Sequence, residues 1–119
     1  MAKYVDGFVL PVPKDLVEDY RQIAQRAGEV WREYGALEYC ECVAEDVQAG
    51  ELTSFPQSVN LEDGETVVFA WITFESREER DRINTKVMKD PRMNEMPVEA
   101  KAIDMKRMVY GGFEAVVDL

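Results

Sequence analysis

Six consecutive apolar residues, Val67-Val68-Phe69-Ala70-Trp71-Ile72, leave water neither face of the strand they form. A strand with one wet side alternates polar and apolar residues, so a run like this belongs at the centre of a sheet. It sits in a strand predicted over Glu65 to Phe74, entered through the turn Glu62-Asp63-Gly64. A second β-prone stretch runs from Tyr4 to about Val12, carries Val5, Phe8, Val9 and Leu10, and exits at Pro11 and Pro13.

A helix is expected between them. From Asp15 to Tyr34, apolar residues recur at Leu16, Tyr20, Ile23, Ala27, Val30 and Tyr34, the alternation of fours and threes that a buried helical stripe requires, and Val17, Ala24 and Trp31 broaden it. Asp15, Glu18 and Asp19 suit its positive end, and Gly35 suits a left-handed C-cap. A strand over Leu37 to Ala44 follows, then a long connection, Glu45 to Asn60, read as a hairpin extension with room for a short strand near Leu52 to Val59. Ser76 with Glu79 is a capping-box pattern opening a second helix that runs to about Lys89 and stops at Asp90-Pro91. That stop is expected to throw Arg92 outward. The segment Arg92 to Glu99, with Met93, Met96 and Pro97, reads as an irregular or helical turn, and the last extended region is Met105 to Val117, with a bulge or bend expected at Gly111-Gly112.

Strand, helix, strand, strand, helix, strand is the ferredoxin-like split βαβ order, an α+β fold with an antiparallel sheet whose first and third strands pair at the centre. The whole chain, 1–119, reads as one such domain, long enough to bury about two thirds of its unfolded surface. Two helices cover one sheet face. The other should be polar in a monomer, yet Phe69 and Trp71 project opposite to Val68, Ala70 and Ile72. In the first strand, the small set Val5, Gly7 and Val9 is expected to lie under the helices and Tyr4, Asp6, Phe8 and Leu10 to face the other way. An exposed aromatic face of that kind calls for a partner, and a face-to-face homodimer, as in dimeric α+β barrels, would cover it.

Tyr4-Val5-Asp6-Gly7-Phe8, Glu41-Cys42, Val67-Val68-Phe69 with Trp71, Asp90-Pro91-Arg92-Met93, and Lys106-Arg107-Met108 followed by Tyr110-Gly111-Gly112-Phe113 make the chain similar, over almost its whole length, to the YbaA-like family of uncharacterised bacterial proteins. The resemblance implies a ferredoxin-like fold of the dimeric α+β barrel kind. It brings no established substrate, cofactor or catalytic residue. Some members carry an RNA-related label, which the charge of this chain does not support: 24 acidic against 14 basic side chains give −10 at neutral pH, repelling phosphates and anionic membrane surfaces alike. Neither nucleic acid nor membrane is expected as a partner, and the start of the chain reads as neither signal peptide nor span.

Histidine is absent, which removes Ser-His-Asp and Cys-His systems, His-ligated zinc and proximal-histidine haem binding. No glycine loop opens a helix to hold a phosphate, and Cys40 and Cys42 have no further cysteine or histidine with which to hold a metal. No cofactor is expected. The same two cysteines, one residue apart on a strand, are poorly placed to bridge each other and point to a reducing, cytoplasmic setting. What remains is carboxylate chemistry. Asp6 falls beside Tyr4 and Phe8, and Glu41 beside Tyr39, where aromatic surface would disfavour the charged form and suit a general acid or base. Phe8, Trp71 and Tyr110 are the expected walls of a shared pocket and Arg107 the expected bidentate partner of a ligand carboxylate, with pairing of Lys106 or Arg107 to the acids as the plainer outcome. The reading is a cofactor-independent small-molecule enzyme; a noncatalytic small-ligand or interaction dimer is its alternative.

Overall fold

The doubly apolar strand does stand inside a sheet. In the computed structural model, which describes residues 2–94 and 103–119, β1 (Tyr4–Pro13), α1 (Val17–Tyr34), β2 (Glu38–Val43), α2 (Phe55–Ser58), β3 (Glu65–Phe74), α3 (Arg77–Lys89) and β4 (Val109–Glu114) follow one another along the chain. β1 and β3 pair antiparallel over their full lengths, from Tyr4 opposite Phe74 to Pro13 opposite Glu65. β2 flanks β3 and β4 flanks β1, so the sheet order is β2-β3-β1-β4. This is the ferredoxin-like α+β fold.

α1 and α3 lie on one face of the sheet. Under the first half of α1, Tyr20 and Ala24 meet Leu10, Val12 and Val68; farther along, Val30 joins Ile72, Phe74, Ile83 and Val87. Phe74, Ile83 and Val87 are fully buried, each contributing about 1.5–3 kcal/mol relative to exposure. α1 ends where Gly35 turns left-handed, its amide and that of Ala36 closing on the carbonyls of Arg32 and Trp31. α3 begins at Ser76, whose hydroxyl accepts the Glu79 N–H at 3.2 Å, while the Glu79 carboxylate turns to Arg82 instead of completing the box.

Several expectations are corrected. In β1 it is Tyr4, Asp6, Phe8 and Leu10 that face the helices, because they share a side with Phe74, Ile72, Ala70 and Val68 of β3. Val5, Gly7 and Val9 lie on the open face with Phe69 and Trp71. The long connection contains a single helical turn, α2, capped by Ser54, and no strand. β4 pairs residue for residue from Glu114 opposite Tyr4 to Val109 opposite Val9, so Gly111-Gly112 makes no bulge. Arg92 does not swing outward: it folds back onto Asp90 and Glu33 at 2.9 and 2.8 Å. Pro91–Asn94 forms a short 3-10 turn, and the rest of the expected irregular segment, with Met96 and Pro97, lies outside the described residues. Among the described residues, no helix is long and apolar enough to cross a membrane.

Candidate functional site

Between α1 and the β2 edge of the sheet lies a cleft of about 610 Å³. It exists because α1 places Ala24 and Gly28, one turn apart, where larger side chains would fill it. Gly28 is required there by contact: a Cβ at this position would stand 2.5 Å from the ring of Tyr39, which lies against the helix backbone. Val17, Val43 and Val68 complete its apolar walls, Arg21, Gln25, Glu29, Arg32 and Glu33 of α1 give it a polar and charged rim, and β2 contributes the carboxylate of Glu41. Both of its oxygens are engaged, one by the hydroxyl of Tyr20 and the other by that of Tyr39. Burial first, and the Glu41 charge second, push both phenols above their usual range, so they remain protonated donors. No ion pair reaches Glu41 among the described residues.

The other acid is placed differently. Asp6, almost fully buried, lies on the same sheet face but two strands from β2, with Ile72 between it and Tyr39. It does not line the Glu41 cleft. Its carboxylate meets Arg80 of α3 at 3.3 Å and accepts from Asn84, whose own carbonyl takes the Trp31 indole N–H at 2.9 Å. Burial raises its carboxyl above the ordinary range, with Arg80 and Asn84 pulling the other way. Arg80 also donates to the Tyr4 hydroxyl and stacks over that ring, and both press against Gly112, where a Cβ would meet the guanidinium at 2.3 Å. Gly112 is thus a close-approach glycine.

The remaining expected site residues scatter. Phe8 packs against the core beneath the helices, while Trp71 stands on the opposite face, 5.8 Å from Phe69. Tyr110 is 71% exposed on the edge strand. Arg107 grips Glu65 bidentately at 2.9 and 2.6 Å, holds Asp104 at 2.8 Å and reaches the Asn60 carbonyl at 3.0 Å, so it is committed to the base of β3 and to neither acid. The sheet therefore separates Trp71 from the anticipated acids, while Phe8 and Tyr110 share the acids' face without lining the Glu41 cleft. Tyr20 and Gly28 complete the cleft, and neither stood out in the sequence beyond the helical stripe.

The open face carries Val5, Val9, Phe69, Trp71, Val109 and Phe113, with Phe55 of α2 edge-on to Phe69. Phe69 is 42% exposed and Phe113 64%. Cys40 and Cys42 also point to this face, their sulfurs 3.8 Å apart and unbridged. Burial and the neighbouring Cys42 sulfur raise the Cys40 thiol, which opposes reactivity.

Residues 3–105 match the family described as a protein of unknown function, DUF1428. The chain belongs to that family. Its relative in Escherichia coli K12, the uncharacterised protein YbaA, is 49% identical over 116 residues, 98% of each chain. Among solved structures, the DUF1428 chain resembles a dimeric ferredoxin-like protein from an uncultured marine organism, with a TM-score of 0.65 and 10% identity over all of both chains. It also resembles SnoaB, a cofactor-independent oxygenase from Streptomyces nogalater, with a TM-score of 0.54 and 13% identity over 99% of this chain and 95% of that one. These two likenesses speak for the fold.

Proposed function

We propose that this protein is a homodimer in which each protomer binds a small molecule in the α1–β2 cleft, with Glu41 as the polar anchor. The observation that carries the reading is the Tyr20–Glu41–Tyr39 arrangement: a carboxylate against the apolar walls of a cleft, satisfied by two neutral phenols and in no ion pair among the described residues. Apolar walls around a few convergent polar groups are the usual make-up of a ligand site, and the volume falls within the usual range of about 300–1,000 Å³. The homodimer is supported by the unpartnered aromatic face and by the dimeric state named for the ferredoxin-like relative of known structure. Because the cleft opens on the helix side, sheet-to-sheet packing leaves it empty. The unbridged thiols fit a reducing, cytoplasmic setting.

A second reading keeps the same cleft and makes Glu41 a proton acceptor in cofactor-independent catalysis, with the oxygenase of shared fold as its support. Asp6 has no part in it, being held by Arg80 and Asn84. A fragment collection screened by ligand-observed NMR in D2O separates the two. Binding that raises the melting temperature without product or deuterium incorporation is the expected result. Deuterium incorporation at a carbon of a bound fragment, lost at least 100-fold in Glu41→Gln, would establish the catalytic reading instead, and fragments that never touch the cleft would remove both.

A further inference from the structure

The polar inventory of the cleft fixes the charge of what it accepts. Both phenol hydrogens are spent on Glu41, so Tyr20 and Tyr39 offer an incoming group their oxygens. Glu41 is acceptor-only and, with two of its roughly four lone-pair positions filled, retains capacity for a ligand donor. Of the two cations at the mouth, Arg21 is ion-paired with Glu18 at 2.8 Å, and Arg32 donates to the neutral Leu37 carbonyl and keeps its charge. Glu33 at the rim is paired with Arg92, so the lining charges outside an ion pair among the described residues are Arg32 against Glu29 and Glu41, a surplus of one negative charge. The chain as a whole, at −10, deepens that potential.

We infer that the cleft selects a protonated amine carried on a compact apolar body, the ammonium seated on Glu41 and the phenol oxygens and the body against Val17, Val43 and Val68. The inference rests on the cleft being a ligand site, as proposed above. An ammonium supplies further hydrogen-bond donors and the countercharge that this half-buried carboxylate lacks, and charge-assisted bonds are the stronger kind. A ligand carboxylate would meet Glu41 as a like charge, and Arg32, the lining cation outside any ion pair among the described residues, already faces the two unpaired acids Glu29 and Glu41.

Three probes of matched shape and different charge test this: benzylamine, benzyl alcohol and benzoate, titrated into the full-length protein at pH 7 and followed by chemical-shift changes of the backbone amides of α1 and β2. Benzylamine is expected to bind at least tenfold more tightly than benzyl alcohol, with benzoate weakest. Glu41→Gln should erase that preference, whereas Tyr39→Phe, which keeps the charge, should retain it; a melting curve for each variant shows that it is folded. Equal affinity for amine and alcohol in the wild type, or benzoate binding as tightly as the amine, overturns the ligand class and leaves the site standing. Absence of all three from the cleft overturns the site and the inference together.

Discussion

Glu41 and Gly28 show how differently two residues of one site declare themselves. Strand alternation puts Glu41 beside Tyr39 on inspection, because residues two apart share a face. Gly28 is silent until β2 is in place, since what it accommodates is a ring eleven positions later in the chain whose packing no helical period encodes. Tyr20 is half-legible: its place in the stripe marks it as buried, but its bond to Glu41, 21 residues away, is a tertiary fact. Gly28→Ala should therefore destabilise the fold by about 1–3 kcal/mol as an overpacked contact, despite the better helix propensity of alanine. The added methyl must push the Tyr39 ring off the helix and away from Glu41. Denaturant unfolding checks the first effect, and loss of fragment binding in the cleft checks the second. A variant as stable as the wild type would show that the ring relocates freely.

At the scale of elements, the strand and helix order was legible because each period is local, and the ends of β3 and α3 fall where the turn and the Ser76 cap put them. The side of β1 was not. Both of its faces are apolar, so alternation alone cannot orient it; the pairing of Leu10 with Val68 and Phe8 with Ala70 decides. The exit of α3 likewise needs its neighbours. Asp90 accepts from Tyr34 of α1 and from Arg92, which also pairs with Glu33, so one buried carboxylate ties the two helices together. Arg92 first, then Tyr34, hold its carboxyl well below the usual range. A depressed folded pKa means stability that is full above the unfolded value and is lost as pH falls through the folded one. Wild-type stability should thus decline below about pH 4, and Asp90→Asn, weaker at pH 7, should decline less over that window. Urea midpoints at pH 7 and pH 3 report the difference; parallel losses in both proteins would deny Asp90 the role.

For the whole molecule, the governing fact is an apolar sheet face on a chain carrying ten net negative charges. Association through that face is driven by apolar burial and opposed by long-range repulsion between like-charged copies, so added salt should tighten it. Sedimentation analysis is expected to find a dimer whose dissociation constant falls as sodium chloride rises from about 0.05 to 0.5 M. Phe69→Glu, which places a carboxylate in the middle of the face, should yield a monomer at the same concentrations, and a wild type that is monomeric throughout would leave the face without its second copy. The aromatic character of Phe69 and Trp71 was readable in advance; the contribution of Phe55 from the long connection was not, since only the folded loop brings it there.

The cleft and the open face lie on opposite sides of one four-stranded sheet. A pair of protomers joined back to back would therefore carry its two clefts outward, with two sheet layers between them and no shared wall. Such an assembly would fill with a stoichiometry of two and a hyperbolic isotherm, each site taking up its ligand without reference to the other.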